Sequence, residues 1–198
     1  MSSLAKIRRR LSPVARLLRS ADERRDLWWE LRRRSAGVPA LPEPAVRNVL
    51  VVCFGNICRS PFAERLLARD CPQLVVRSGG FEAREGDPAE ADGIRMATEF
   101  GVDLSDHAAH RLTAEDAAWA DLIVGMTGRH HGMLRDRWPA HAAKVRLLGD
   151  FLPAPPFGIV DPWGCPPEVF RAVYTRIVQA AGPLAGRLSS PARPVPPT

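Results

Sequence analysis

The sequence predicts an α/β fold in which a four-stranded parallel sheet is covered by helices. Four short runs rich in apolar and β-branched residues are typical of buried strands, and they span residues 49–52, 73–77, 121–126 and 145–148. Helical segments separate these runs. Strands that alternate with helices pair in parallel through right-handed crossovers, and we expect that arrangement here.

The first helix is predicted to begin directly after the first strand. Ser60 offers a capping hydroxyl, Pro61 suits the first helical position, and Glu64 adds negative charge to the first turn. Apolar spacing and capping residues then predict helices over residues 87–100, from 113, from 127, and over 170–184.

The formal net charge of +6 is concentrated in the N-terminal part of the chain. Residues 1–46 hold eleven Lys and Arg against five Asp and Glu, whereas residues 47–198 hold seventeen of each. We therefore divide the chain into a basic extension with a proline-rich linker (1–46), a globular domain (47–187) and a disordered tail (188–198). Because the domain itself is formally neutral, nucleic-acid binding is not indicated.

The extension contains two candidate helices. Apolar residues at three- and four-residue steps mark the first, although Pro13 argues against one continuous helix. Residues 20–23 resemble a capping box that opens the second. The favoured interpretation is a solvated basic extension, partly helical and partly disordered.

Two alternatives for the extension stay open. Residues 1–34 could make peripheral contact with an anionic membrane or an acidic partner, with Trp28 and Trp29 at the headgroup level. In the other alternative, Leu27, Trp28 and Leu31 pack on the globular domain.

Cysteine usage and hydropathy indicate a cytoplasmic protein. Four cysteines are too few for a disulfide scaffold in 198 residues, and none forms a close metal-type pair with another cysteine or a histidine. No secretory signal is visible, and no apolar stretch is long enough to span a membrane. A reducing compartment is also what a nucleophilic cysteine requires.

The loop between the first strand and the first helix can bind an anion. Consecutive backbone N–H groups that close onto a helix N-terminus form a cradle for a phosphate group. The guanidinium of Arg59 can hold two phosphate oxygens, and the same positive field favours the thiolate of Cys53. The sequence therefore predicts a nucleophilic sulfur that faces a bound phosphoryl group.

The spacing of Cys53 and Arg59 is not diagnostic by itself. Cys71 and Arg77 have the same separation, and so do Cys165 and Arg171. Only the CFGNICR segment follows a strand, contains Gly-Asn for unusual backbone angles and leads into a helix. This context selects Cys53 from the three candidates.

The segment VCFGNICRSPFAE resembles the signature loop of the low-molecular-weight protein tyrosine phosphatases. The matching positions are Cys53, Gly55, Asn56, Cys58, Arg59, Ser60, Pro61, Ala63 and Glu64. The resemblance extends in weaker form over residues 47–187. It implies a doubly wound α/β sheet, with helices on both faces and the loop at the carboxyl end of the first strand.

The resemblance also implies a role for Asp161. An aspartate before proline is held extended, which suits a fixed carboxyl at a pocket mouth, although Asp-Pro also occurs in plain turns. The family places its general acid in an Asp-Pro-aromatic sequence at this distance from the C-terminus. We therefore expect Cys53 as nucleophile, Arg59 as phosphate ligand and Asp161 as general acid and base, without a metal or a cofactor.

Further residues are assigned to the site by the same resemblance. The expected substrate-binding residues are Phe54, Gly55, Asn56, Ile57, Cys58, Ser60, Phe81 and Trp163. Ser78 and His107 are expected to support the loop, although Ser78 equally fits a strand-ending turn. His110 stands where an arginine is usual in the family.

Phosphotyrosine is the substrate that these residues favour. Phe81 and Trp163 are expected to form walls for an aromatic ring, and family members that act on phosphoarginine tend to carry a hydroxyl residue at the position of Ile57. The partner is thus a phosphotyrosine protein, by analogy a bacterial tyrosine kinase. Cys58 is expected to trap oxidised Cys53 as a disulfide.

Two other functions compete with this interpretation. Arsenate reduction on the same fold needs further cysteines that relay a disulfide, and Cys71 and Cys165 are not paired at a short helical spacing. A non-catalytic phosphate-binding module is the other alternative. The joint presence of Cys53, Arg59 and Asp161 argues against it.

Overall fold

The structure is a computed structural model that describes residues 21–42 and 45–189, with side chains from residue 24 onward. The first candidate helix of the extension, residues 4–18, lies outside the described residues. So does most of the predicted tail, from residue 190.

Four parallel strands form the sheet in the described part of the chain, as the sequence predicts. They are paired in the order β2-β1-β3-β4, which places β1 and β3 in the centre. Residue pairs such as Cys53 with Gly80 and Val51 with Val124 define the register. The strand bounds are β1 Asn48–Cys53, β2 Val75–Gly80, β3 Leu122–Gly125 and β4 Val145–Leu147.

Helices cover both faces of this sheet. Their bounds are α1 Ala21–Ala36, α2 Arg59–Asp70, α3 Ala91–Thr98, α4 Ala114–Trp119, α5 Gly128–Arg137 and α6 Pro167–Ser189. Two 3-10 turns, Pro139–Lys144 and Leu148–Phe151, flank β4. None of these helices is long and apolar enough to cross a membrane.

Two separate apolar cores confirm the double winding. The larger core packs α2, α3 and α6 against one face of the sheet and contains Phe62, Phe170 and Tyr174. The smaller core packs α4 and α5 against the other face, around Leu50 and Ile123. Successive residues of β1 alternate between the two cores because side chains along a strand point to opposite faces.

Helix α2 begins differently from the prediction. It starts at Arg59 after the N-cap residue Cys58, so Ser60 is not the cap and makes no capping hydrogen bond. Its hydroxyl instead faces the sulfur of Cys53 at 3.0 Å. Glu64 does not lie in the first turn; its Oε2 accepts a hydrogen bond of 2.5 Å from the Ser78 hydroxyl.

Two other helices differ in length from the sequence prediction. Helix α3 is shorter than residues 87–100 because the carboxylate of Glu90 caps it, accepting a hydrogen bond from the Gly93 N–H at 3.0 Å. Helix α6 is longer than predicted. It starts at Pro167 and includes Leu188 and Ser189, which were assigned to the tail.

Helix α1 of the extension packs on the domain beside β4. The side chain of Trp29 is buried, and its indole N–H donates to Oδ1 of Asp150 at 2.9 Å. Oδ2 of Asp150 accepts from the Leu147 N–H, so both carboxylate oxygens are bonded in a setting that raises the pKa of this acid through burial. The prediction of a membrane position is wrong for Trp29.

The packing alternative is also corrected in its residues. Trp28 and Leu31 point to solvent, 56% and 57% exposed, whereas this alternative places them against the domain. Trp29 and Arg33 occupy the inner face of α1 instead, since their side-chain donors meet Asp150. Hydrophobic spacing could not distinguish these two faces, because apolar residues occur on both.

Substitutions at the two adjacent tryptophans test this docking. We expect Trp29→Ala to lower the free energy of unfolding by about 3 kcal/mol, since it removes a buried ring and leaves a buried carboxylate oxygen without its donor. Trp28→Ala should change it by less than about 0.5 kcal/mol. Urea denaturation of the full chain measures both. Equal losses in the two variants would contradict the docked position of α1.

Candidate active site

The predicted phosphate-binding loop connects the carboxyl end of β1 to α2. Residues 54–58 form consecutive bends, and Arg59 opens the helix. The loop packs closely on β2, because a Cβ at Gly80 would lie 2.7 Å from the carbonyl oxygen of Phe54. Within the described residues, no protein group accepts a hydrogen bond from the amides of Gly55, Ile57 and Cys58. These donors remain available to a ligand.

Asn56 is the structural centre of this loop. It is fully buried and has a left-handed backbone with φ of 54°, a conformation that asparagine tolerates better than most residues. Its Nδ2 donates to the hydroxyls of Ser60 and Ser78, both at 2.8 Å, and its Oδ1 accepts from the His110 N–H at 2.8 Å. The side-chain amide is therefore fully hydrogen-bonded and fixes the curvature of the loop.

The loop surrounds the sulfur of Cys53 with donors. The Asn56 N–H donates to Sγ at 3.2 Å, and the hydroxyl of Ser60 lies 3.0 Å from it. Because the Ser60 oxygen already accepts from Asn56, its proton can point at the sulfur. Burial, together with the charges of Cys53 and Asp161, raises the pKa of the Cys58 thiol.

Arg59 connects this loop to the segment that carries Asp161. Its Nη2 donates to Oδ2 of Asp161 at 2.6 Å, and its Nη1 donates to the carbonyl oxygen of Ile159 at 3.1 Å. Arg59 is buried, whereas the Asp161 side chain is 47% exposed. The buried Nε–H of Arg59 has no acceptor among the described residues. A guanidinium and a carboxyl group thus converge at the rim of the loop.

A cleft of about 880 Å³ opens in front of this pair. Its wall includes Phe54, whose ring lies 4.7 Å from the Arg129 guanidinium carbon. The remaining lining comes from the end of β4, from the start of α5 and the residue before it, from the Asp161 segment and from the docked helix α1. From α1 the lining residues are Asp26, Leu27, Trp29, Glu30 and Arg34.

Two histidines support the loop at Asn56, His107 through its side chain and His110 through its backbone N–H. Nε2 of His107 lies 2.6 Å from the carbonyl oxygen of Asn56 and acts as the donor there. The ring of His110 lies between two carboxylates, 3.0 Å from Glu85 and 2.7 Å from Asp116. Hydrogen bonding to Glu85 and Asp116 raises the pKa of His110. The arginine expected at this position is therefore replaced by a group whose charge depends on pH.

Three of the residues predicted for the site differ in burial, and one of them lies elsewhere. The pocket-wall role of Phe81 is wrong, because this ring is fully buried in the smaller core and stacks on His130 with 5.7 Å between centroids. Ile57 is half-buried and packs against the larger core. Trp163 is 69% exposed, and its N–H lies 3.4 Å from Oδ1 of Asp161.

Other site residues were not predicted from the sequence. His130 is buried beside the cleft, and burial, together with the charges of Arg59 and Arg129, lowers its pKa. Its Nδ1 accepts from the Met126 N–H at 3.2 Å, so the ring is neutral with its proton on Nε2. Arg129 and the α1 residues are also new. Their only sequence signals were the helix starts at residues 20–23 and 127.

Comparison with known proteins assigns this arrangement to a family. A family model described as low molecular weight phosphotyrosine protein phosphatase matches residues 48–193. The chain belongs to this family. The low molecular weight protein-tyrosine-phosphatase Etp of Escherichia coli K12 is 38% identical over 142 residues, which are 72% of this chain and 95% of that protein.

Solved structures of a tyrosine phosphatase and of an arginine phosphatase have the same fold. The tyrosine phosphatase AmsI of Erwinia amylovora aligns with a TM-score of 0.72 at 35% identity, over 76% of this chain and 99% of AmsI. The YwlE arginine phosphatase of Geobacillus stearothermophilus aligns with a TM-score of 0.67 at 34% identity, over 72% of this chain and 92% of YwlE. Helix α1 precedes the family match, which begins at residue 48.

The carboxylates around His110 predict a pH-dependent contribution to stability. The pKa of His110 is higher in the folded protein than in the unfolded chain, where it is about 6.5. The charged ring therefore stabilises the fold fully at pH values below about 6.5. This contribution is lost as the pH rises through the folded pKa. We expect His110→Gln to reduce the free energy of unfolding more at pH 5.5 than at pH 9 in urea denaturation.

Glu85→Gln provides the matched test of this prediction. It removes the partner that raises the pKa most, so the pH dependence of the His110 effect should shrink in this background. The same loss of stability at both pH values in His110→Gln would contradict the assignment.

Proposed function

We propose that the protein hydrolyses phosphotyrosine monoesters through a phosphocysteine intermediate on Cys53. The observation that carries this proposal is the convergence of a hydrogen-bonded sulfur, a buried guanidinium and a carboxyl group at one loop. Cys53 ends β1 where the loop begins, Arg59 opens the following helix, and Asp161 lies 2.6 Å from Arg59. Family membership supports the same reaction.

The loop provides the groups that stabilise charge on a transferring phosphoryl group. The amides of Gly55, Ile57 and Cys58 and the N-terminus of α2 point positive dipoles into the cradle. The buried Nε–H of Arg59 adds a donor that a phosphoryl oxygen would satisfy. Transition-state charge in phosphoryl transfer is spread over these equatorial oxygens, so a fixed positive cradle lowers the barrier.

Cys53 would form the covalent bond. Its thiolate attacks phosphorus in line with the leaving phenolate, and the P–S bond forms as the P–O bond breaks. The Ser60 hydroxyl and the Asn56 N–H stabilise negative charge on the sulfur, both when it attacks and when it leaves. Water then cleaves the P–S bond and releases inorganic phosphate.

Asp161 would transfer the protons in both steps. Its carboxyl group lies at the rim of the loop and is partly exposed, where a leaving-group oxygen would emerge. As an acid it protonates the phenolate, and as a base it then takes a proton from the attacking water. This role requires that the segment carrying Asp161 be held in register with Arg59.

An aromatic substrate is supported by the residues at the cleft. Trp163 is exposed two positions after Asp161, where its ring can contact the substrate ring, and Phe54 lines the cleft. The similarity to YwlE makes a phosphoarginine peptide the second candidate, and Ile57 in place of a hydroxyl residue argues against it. The proposed partner is a phosphotyrosine protein, with a bacterial tyrosine kinase as the candidate by analogy.

Cys58 is proposed to protect the nucleophile from oxidation. It is a free, buried thiol with a raised pKa, and a peroxide that oxidises Cys53 would form a sulfenic acid beside it. Condensation of the thiol with that sulfenic acid releases water and gives a disulfide, which thiol reductants reopen.

Arsenate reduction is less well supported. It would require a cysteine relay, yet Cys71 is the C-cap of α2, at the opposite end of the helix that starts beside Cys53. A helix of this length spans about 18 Å, and Cys71 is buried in the larger core. A disulfide between Cys71 and the loop would therefore require unfolding.

Cysteine variants of the full chain test the proposal. Cys53→Ser should lower phosphate release from a phosphotyrosine peptide, in the presence of a metal chelator, by about a thousandfold or more. Cys165→Ser is the matched control because Cys165 shares the spacing to an arginine, and its activity should be unchanged. The same assay with a phosphoarginine peptide compares the two substrate classes.

Retention of activity in Cys53→Ser would overturn the proposed nucleophile. If phosphate is released faster from the phosphoarginine peptide than from the phosphotyrosine peptide, Cys53 remains the proposed nucleophile, but the proposed substrate class is wrong.

A further inference from the structure

Helix α1 lies outside the residues that match the phosphatase family, yet it contacts the segment that carries the proposed general acid. We propose that Glu30 and Arg33 of α1 are positioning residues that hold Asp161 in register with Arg59. The Asp161 loop is defined here as residues 152–166, between the second 3-10 turn and α6. The inference deepens the proposed function and rests on the acid role of Asp161.

Glu30 holds the middle of the Asp161 loop. Its Oε2 accepts a hydrogen bond from the Phe157 N–H at 2.7 Å, while its Oε1 accepts from Nη2 of Arg34 at 3.1 Å. The side chain is only 18% exposed, so it is partly shielded from water. The carboxylate is therefore bonded through both oxygens, and one of them carries the backbone of the loop.

Arg33 holds the start of the same loop. Its Nε donates to the carbonyl oxygen of Asp150 at 2.8 Å, and its Nη2 lies 3.4 Å from the carbonyl oxygen of Leu152. The guanidinium carbon also lies 4.5 Å from the ring centroid of Phe157. Arg33 thus contacts both the second 3-10 turn, at Asp150, and Phe157, the residue whose N–H Glu30 binds.

The constraint at Phe157 reaches Asp161 along a short, hydrogen-bonded path. The Ile159 N–H donates to the Met126 carbonyl at 2.9 Å, and the Ile159 carbonyl accepts from Arg59 at 3.1 Å. Asp161 then pairs with Arg59 at 2.6 Å. Phe157, Ile159 and Asp161 are therefore held by α1, by the residue that follows β3 and by Arg59 at the start of α2.

The loop is also anchored by groups outside α1, since Leu152, Phe157 and Ile159 are buried in the larger core. Arg176 of α6 donates to the carbonyl oxygen of Pro156. This contact binds the carbonyl group of Pro156. The N–H of the next residue, Phe157, donates to the carboxylate of Glu30. We therefore expect loss of Glu30 to displace the loop without releasing it, and a displacement of about 1 Å at a catalytic group costs up to about a hundredfold in rate.

The effect of Glu30 has a signature that general destabilisation lacks. A misplaced acid slows the departure of poor leaving groups, whereas a good leaving group departs without a proton. The second-order constant kcat/KM reports the step that forms the phosphoenzyme, so its dependence on leaving-group pKa measures proton donation. A loss of folded protein would lower kcat/KM by the same factor for every substrate.

A series of aryl phosphates from p-nitrophenyl to phenyl phosphate tests the proposal on the full chain. We expect Glu30→Ala to lose about tenfold in kcat/KM on phenyl phosphate and less than about twofold on p-nitrophenyl phosphate. Arg33→Met should show the same pattern. Glu30→Gln should recover most of the loss, because its amide oxygen can accept from the Phe157 N–H.

Two reference variants make the outcome decisive. Asp161→Asn sets the full leaving-group dependence expected without the acid, and Leu31→Ala changes an exposed residue of α1 that is 57% accessible and should match the wild type. The positioning role alone is overturned by the following result. In Asp161→Asn, kcat/KM depends steeply on leaving-group pKa, whereas in Glu30→Ala and Arg33→Met it falls by the same factor for every substrate or does not fall. No leaving-group dependence in Asp161→Asn overturns both the acid and its positioning.

Discussion

The hydrogen bonds of the buried Asn56 side chain are the interaction on which the active site depends. Its amide joins three segments that are distant in sequence: the start of α2 through Ser60, the end of β2 through Ser78, and the turn at His110. A buried amide with every donor and acceptor satisfied is rigid, since each broken bond would leave an unpaired polar group. The left-handed backbone at Asn56 accompanies the curvature of the loop, and the Asn56 N–H donates to the sulfur of Cys53.

The parallel sheet places these segments within reach of one another. Cys53 ends β1 beside Gly80 at the end of β2, so the phosphate loop and the Ser78 support emerge at the same edge. The Asp161 loop is brought to that edge after β4 and is joined to Arg59 there. Helix α1 adds a layer that precedes the family match and binds the Asp161 loop through Glu30 and Arg33. Helix α1 therefore packs directly against the segment that carries Asp161.

Local sequence patterns predicted the sheet and the phosphate loop because their causes are local. The β-branched run of β1, the Gly-Asn pair and the helix that follows act within a dozen residues, and all three appear in the structure. Other features could not be read in this way. Phe81 follows β2 directly, and its ring packs in the smaller core rather than in the pocket wall. That core is formed by segments distant in sequence, so local patterns do not predict this orientation. Trp29, rather than Trp28, faces the domain because its indole N–H donates to Asp150, a residue 121 positions away.

The central claim is that this loop makes Cys53 the covalent acceptor of the phosphoryl group. The most direct measurement is mass spectrometry of the Asp161→Asn variant after rapid acid quench of its reaction with p-nitrophenyl phosphate. A good leaving group still phosphorylates this variant, whereas hydrolysis of the intermediate is slowed for lack of the base. We expect one phosphoryl group per chain, located on Cys53 and not on Cys58, Cys71 or Cys165. Turnover without a phosphorylated chain, or a phosphoryl group on another residue, would contradict it.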